Sequence, residues 1–144
     1  MRLDELMRAI PPATQAKLPK DLQDFKVARR SWLVQLYYAD PLIHYEVVTL
    51  GVKRRQLEIG LHFESRNSTV NERLLNGFMQ HLFEIKTELG DDFEAEMWDK
   101  GWTKVYATIP METFDAAYVD RVAVRLAQVM VVLHPILEEL MSGK

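Results

Sequence analysis

The apolar residues of this chain follow two different periods, and the change between them is the feature that most constrains its fold. Over residues 31–65 the period is two, in the runs SWLVQLYYA, IHYEVVTLG and LEIGLHFES, which is typical of β-strands. Over residues 67–90 apolar residues recur at helical spacing, Thr69 and Glu72 form a candidate capping box, and Gly90 suits the end of a helix. The pattern therefore predicts a three-stranded antiparallel meander followed by a helix.

Further elements are expected on both sides of this segment. Before it, LDELMRAI and PKDLQDFKVARR have helical patterns separated by the proline pair 11–12, and we expect a short helix beginning near Pro19. After it, FEAEMW and WTKVYATIP predict two more strands joined by DKG. The last segment predicts one long helix that starts near Thr113 or Phe114 and kinks or breaks near Pro135.

The predicted element order is therefore α-β-β-β-α-β-β-α. It corresponds to a single α+β domain over residues 1–144, with a five-stranded, mainly antiparallel sheet and helices packed on one face. The chain contains no Cys, which excludes disulfides, Cys-based zinc sites and thiol nucleophiles.

Composition and charge narrow the class of protein. Asp4 and Glu5 stand where a signal peptide would have its apolar core, so we expect a cytoplasmic protein. The longest uninterrupted apolar run of the last helix, VMVVL, is too short to span a bilayer, and no membrane association is expected. Residues 1–66 hold 11 basic against 8 acidic residues, whereas residues 67–144 hold 7 against 13; this polarity is compatible with pairing with itself or with a charged partner, but an asymmetry this small usually reflects only solubility.

Polar residues alternate with the apolar ones in the strand LEIGLHFES. Glu58, His62 and Glu64 point to the side opposite the apolar residues, where they form either a catalytic or metal site or the solvated side of an ordinary strand. A metal-dependent hydrolase would use these three residues. The metal signal is weak, because His44 lies on a different strand and no His-x-His spacing occurs. We therefore favour the solvated strand, and no cofactor is expected.

The last two strands add aromatic residues to the same face. Trp and Tyr are enriched at protein interfaces, where an apolar ring and a polar tip are both useful. We therefore expect a contact surface for an unidentified protein partner, formed by Trp98, Trp102, Lys104 and Tyr106. The final helix is apolar on every side around residues 129–133, which a single sheet face cannot cover, and this favours a homodimer.

A basic cluster is predicted at one end of the sheet. In an antiparallel hairpin the start of the first strand lies beside the end of the second, which brings together Arg29, Arg30, Lys53, Arg54 and Arg55. Such a cluster can bind a nucleic-acid backbone. The isoelectric point near 5.8 argues against a dedicated nucleic-acid binder, and a solvated turn is the preferred interpretation.

Several classes of active site are excluded because the sequence lacks the motifs that they require. A restriction-type nuclease needs an acid and a Lys two residues apart on a strand, and the only Glu-x-Lys of the chain, Glu84 to Lys86, falls in the predicted helix. The chain has no glycine-rich phosphate-binding motif and no nucleophile elbow around a serine.

Two resemblances complete the sequence reading. LEIGLHFESR, NERLLNGFMQHLFEIKTELG and the Trp-containing hairpin, over roughly residues 43–109, resemble bacterial domains of unknown function found beside or fused to restriction-type nucleases. The element order is similar to that of type III secretion chaperones, which dimerise and bind extended partner segments. These resemblances imply an accessory module rather than an enzyme. We therefore expect a non-enzymatic protein-binding or chaperone-like homodimer, with a nucleic-acid-associated accessory module and then a metal-dependent hydrolase as alternatives.

Overall fold

The structure is a computed structural model that describes residues 1–51 and 53–143. Its helices are α1 (Leu3–Gln15), α2 (Ser68–Gln80), α3 (Leu82–Leu89) and α4 (Ala116–Met141). Its strands are β1 (Lys26–Arg30), β2 (Leu33–Tyr37), β3 (Ile43–Thr49), β4 (Gln56–Phe63), β5 (Glu94–Asp99) and β6 (Trp102–Pro110). The α+β class is confirmed.

The strands form one sheet in the order β1-β2-β3-β4-β6-β5, and every neighbouring pair is antiparallel. The predicted count of five strands and the predicted element order are wrong, because residues 26–30, expected to be helical, form the additional strand β1. The helix expected near Pro19 is limited to one 3₁₀ turn at Lys20–Leu22. All five residues of β1 are exposed, so the strand is held by its pairing with β2 and carries no apolar alternation in the sequence.

The hydrophobic core lies between one face of the sheet and the helices. Alternate residues of the inner strands point into it, as do the apolar faces of α1 and α4. Phe63 of β4 stacks on Phe78 of α2 with ring centroids 5.4 Å apart. The opposite face, called the polar face below, carries Gln35, His44, Glu46, Glu58, His62, Lys104 and Tyr106.

Proline had less effect on the helices than the sequence indicated. α1 continues through the proline pair 11–12, where a break was expected, because its buried side packs on α4 and compensates for the missing N–H donors. α4 also continues through Pro135. The helix expected over residues 67–90 is instead divided at His81, and its N-cap is Asn67, whose Oδ1 accepts from Thr69 N at 3.0 Å. In the described residues no helix has both the length and the apolar content required to cross a membrane.

Candidate metal centre

The register of β3 and β4 brings two histidines together on the polar face. His44 lies directly opposite His62, and Glu46 lies opposite Gly60. Glu64 follows the last residue of β4, and its backbone N donates to Leu42 O at 2.8 Å. Two neighbouring strands therefore supply two imidazoles and two carboxylates to one place.

The four side chains converge on a common centre. His44 Nε2 lies 3.1 Å from a carboxylate oxygen of Glu46 and 3.8 Å from one of Glu64. His62 Nδ1 lies 3.7 Å from Glu46 and 3.1 Å from Glu64. One ligand atom from each residue can be chosen so that all four lie within 4.8 Å of one another.

These separations are close to those of a tetrahedral metal site, though wider in part. Nitrogen and oxygen ligands bind zinc at about 2.0–2.2 Å, so neighbouring ligand atoms of a tetrahedron are about 3.3–3.6 Å apart. The four imidazole-to-carboxylate distances, 3.1 to 3.8 Å, lie close to that range, but they involve both oxygens of Glu46, and with one ligand atom from each residue the limit is 4.8 Å. An ion could therefore be accommodated with small side-chain movements.

In each histidine, the ring nitrogen that points away from the centre of the cluster makes a hydrogen bond that orients the ring. His44 Nδ1 is 2.8 Å from Pro41 O, and His62 Nε2 is 2.7 Å from Glu58 Oε2. Because each acceptor calls for N–H at that nitrogen, a neutral ring has its lone pair on the other one, which faces the centre. Carbonyl or carboxylate acceptors behind a histidine are the usual outer shell of a bound metal. Glu58 is held in turn by Lys104 Nζ at 2.6 Å.

The cluster is buried on the polar face of the sheet. The exposed fractions are 1% for His44, 6% for Glu46, 2% for Glu58 and 2% for His62, while the Glu64 side chain is 13% exposed. Burial of charge is costly unless the charge is compensated. Three carboxylates and the Lys104 ammonium leave two negative charges, which a divalent cation would neutralise with both imidazoles uncharged.

In the absence of a metal, a proton has to supply part of this compensation. Burial by itself lowers the pKa of His62, but its hydrogen bonds to Glu58 and Glu64 and the charge of Glu46 outweigh burial and raise that pKa to about 9. Burial by itself raises the pKa of Glu46, but the hydrogen bond with His44 and the charge of His62 outweigh burial, and the pKa of Glu46 is lowered overall. The pKa of Glu58 is lowered against burial by His62 and Lys104. The buried carboxylates of the cluster therefore favour the protonated, positively charged form of His62.

The four residues predicted to bind a partner lie together beside this cluster. Trp98 contacts His62 edge to face with ring centroids 5.8 Å apart, and Trp98 and Trp102 are 5.5 Å apart. Lys104 Nζ lies 5.2 Å from the centroid of Trp98 and 4.2 Å from that of Tyr106. Their rings thus border the cluster, and 40% of Trp98 remains exposed.

Gly60 makes room for the convergence. A Cβ at this position would lie 2.7 Å from the Cβ of Tyr106 and would also collide with Val105 O. The absence of a side chain between Glu58 and His62 on β4 leaves space opposite Glu46.

Sequence reasoning named part of this site and missed the rest. Glu58, His62 and Glu64 do meet, but the expectation of a solvated strand is wrong because Glu58 and His62 are buried. The sequence places His44 on a different strand from His62, and in the structure that strand, β3, is the direct neighbour of β4. A usable signal was present: His-x-Glu occurs twice, as His44-Tyr45-Glu46 and as His62-Phe63-Glu64.

The predicted basic residues lie at the other end of the strands. Arg29 and Arg30 end β1, whose continuation Leu33 pairs with Val48 near the end of β3, and residues 53–55 lie in the connection from β3 to β4. All five basic residues are exposed, and none forms an ion pair within the described residues.

Comparison with known proteins gave no match to a family model, to a curated protein or to a solved structure.

Proposed function

We propose that this protein is a metal-binding domain that holds one divalent transition-metal ion between His44, Glu46, His62 and Glu64. The observation that carries the proposal is the convergence of these four side chains from two adjacent strands, with both histidines oriented from behind. The charge of the buried cluster supports it independently, because two excess negative charges match a divalent cation.

Zinc is the ion that best fits the donor set. Two imidazoles and two carboxylates converging on one centre suit Zn²⁺, whereas Mg²⁺ and Ca²⁺ prefer more oxygen ligands. Protein side chains supply all four positions, which is the pattern of a structural site rather than of a catalytic one with an open position. The ion would fasten β3 to β4 and to the segment after Phe63. In this proposal Glu58 orients the ring of His62. The hydrolase interpretation, in which Glu58 itself takes part in the reaction, is less well supported.

Zinc binding to chelator-treated protein tests the proposal. Calorimetry and elemental analysis are expected to give one zinc per chain for the native protein and none for His44→Ala or His62→Ala. His81→Ala is the matched control, because His81 lies outside the cluster and pairs with Glu84. A cobalt-loaded sample should show the visible absorption of tetrahedral Co²⁺.

A variant at the cluster's edge protects the test against unfolding. Glu64 is the most exposed of the four ligands and follows β4, so Glu64→Gln is expected to stay folded while losing much of its zinc affinity. A native protein that binds none of zinc, cobalt, nickel, iron or manganese would overturn the proposal, and the cluster would then be a buried ion-pair network.

A second candidate function, nucleic-acid binding, is favoured by the basic residues at the opposite end of the sheet, which form no ion pair with any residue in the described part of the chain. Arg29, Arg30 and residues 53–55 carry five exposed positive charges toward that end. Retention on DNA or RNA should weaken steeply with salt and should be lost in Arg54→Ala/Arg55→Ala. The variant Arg66→Ala/Lys100→Ala removes the same charge elsewhere and should bind as the native protein does. Equal retention of the two variants would exclude this surface.

A further inference from the structure

The two open edges of the sheet carry opposite charges. One edge is β1, where Lys26, Arg29 and Arg30 are exposed. The other is β5, where Glu94, Glu96 and Asp99 are exposed. An edge strand presents unpaired backbone groups, and charged residues on it discourage pairing with an edge of the same sign. Here the charges disfavour pairing of β1 with a second β1 and of β5 with a second β5, but they favour pairing of β1 with β5.

We infer that a second copy of this chain adds its β1 to β5 of the first, so that copies associate head to tail through a continuous sheet. The same two strands cannot form a symmetric dimer, because each would meet a strand of its own charge. The inference is independent of the metal centre. It assigns to the association of copies a heterologous interface between sheet edges, where the final helix led us to expect a homodimer.

Strand direction is compatible with this arrangement. Because every neighbouring pair is antiparallel, β1, β3 and β6 run one way and β2, β4 and β5 run the other. A copy placed beside the first in the same orientation therefore brings its β1 antiparallel to β5. The ladder would continue with the helices of both copies on the same side.

The charged side chains also share a face. Ala28 pairs with Gln35 on the polar face, so Lys26 and Arg30 point to that face by alternation. Glu94 and Glu96 pair with Tyr106 and Lys104, which places them on the polar face as well. In a continuous sheet, Lys26 and Arg30 of one copy and Glu94 and Glu96 of the next would lie on the same surface. Their side chains could then pair directly across the two strands or diagonally.

The association is expected to be weak and sensitive to salt. Five or six strand residues form a short ladder, and exposed charges are screened beyond about 10 Å at 0.1 M salt. Sedimentation velocity over a wide range of protein concentrations, at low and at high salt, should show oligomers that grow with concentration only at low salt. The absorbance ratio must show that the sample is free of nucleic acid, because Arg30 is also one of the five basic residues named above as a candidate nucleic-acid-binding surface.

Charge reversal identifies the surfaces. Lys26→Glu/Arg30→Glu makes both edges acidic and should be monomeric, and Glu94→Lys/Asp99→Lys makes both edges basic and should be monomeric too. Glu96 is left unchanged because it accepts a hydrogen bond from Tyr106 OH at 2.7 Å. An equimolar mixture of the two variants should associate again, since each acidic edge then meets a basic one.

Controls keep the test decisive. Arg8→Glu/Arg73→Glu makes the same change in net charge at exposed positions of helices α1 and α2 and should associate as the native protein does. Far-ultraviolet circular dichroism checks that each variant is folded, and the exposed side chains of the β1 pair make that variant the safest one. A native protein that is monomeric at every concentration in low salt overturns the inference. So does an oligomer that survives reversal of β1 unchanged.

Discussion

His44 and His62 face each other across β3 and β4, with ring centroids 5.8 Å apart and ring planes inclined by 22°. Each ring has one nitrogen hydrogen-bonded to an acceptor behind it and the other directed at Glu46 and Glu64. The pair therefore already has the orientation that binding of the proposed metal would require. This preorganisation distinguishes the cluster from an arbitrary group of buried polar residues.

The residue behind His62 is expected to control metal affinity without binding the metal. Glu58→Gln keeps the shape of the side chain but removes the charge that orients the His62 ring, and the loss of such an outer partner typically lowers metal affinity about 10- to 100-fold. Competition with a chelator measures the change. Glu88→Gln, on the exposed surface of α3, is the matched control. An affinity equal to that of the native protein would show that Glu58 does not act through His62.

Asn71 is expected to hold the segment that carries Glu64. Its side chain is fully buried, accepts from Ser65 N at 2.9 Å and donates to Ser65 O at 2.9 Å and to Gly101 O at 3.1 Å. Asn71→Ala leaves these buried backbone groups without partners and should lower the free energy of unfolding by roughly 2–4 kcal/mol. Urea denaturation measures it. Asn76→Ala, on an exposed position of α2, should change stability by less than about 0.5 kcal/mol.

Gly60→Ala tests the close approach of β4 and β6. The added methyl would lie 2.7 Å from the Cβ of Tyr106, and the neighbouring backbone cannot move aside freely. Overpacking of this kind costs about 1–3 kcal/mol. Urea denaturation should therefore give a lower midpoint with an unchanged slope. An unfolding free energy within about 0.5 kcal/mol of the native value would contradict the geometry at this position.

His134 is expected to make stability depend on pH. Burial lowers its pKa against the opposing charges of Glu138 and Asp21, while Tyr45 OH lies 3.0 Å from its Nδ1 and Tyr38 packs on its ring. The folded pKa is thus below the unfolded value of about 6.5, so the unfolded state binds more protons in between. The stability contributed by the neutral ring is present above pH of about 6.5 and is lost as pH falls through the folded pKa.

The measurement is the unfolding free energy of the native protein and of His134→Gln at several pH values between neutral and mildly acidic. Gln keeps a hydrogen-bonding group near Tyr45 but does not titrate in this range. The difference between the two proteins should shrink as the pH falls, because other titrating groups contribute equally to both. A constant difference would show that the pKa of His134 is not lowered.

The strands of the central meander and the helix after it could be predicted because their apolar residues recur with the period of a strand or of a helix, although the polar residues between them in β3 and β4 are also buried. β1 could not, since KVARR is exposed at every position and is a strand only through its pairing with β2. The continuation of α1 through its prolines depends on packing against α4, and the division at His81 also has no counterpart in the residue pattern.

The site divides in the same way. The period of two placed Glu58, His62 and Glu64 on one face and separated them from Leu61 and its apolar neighbours, because alternation is a local property of the extended backbone. The partnership of His44 with His62, and the burial that turns polar side chains into a charge-compensated cluster, depend on strand register and on the aromatic residues of β5 and β6. Register is set by contacts between residues distant in sequence, so only the tertiary structure decided which polar residues meet.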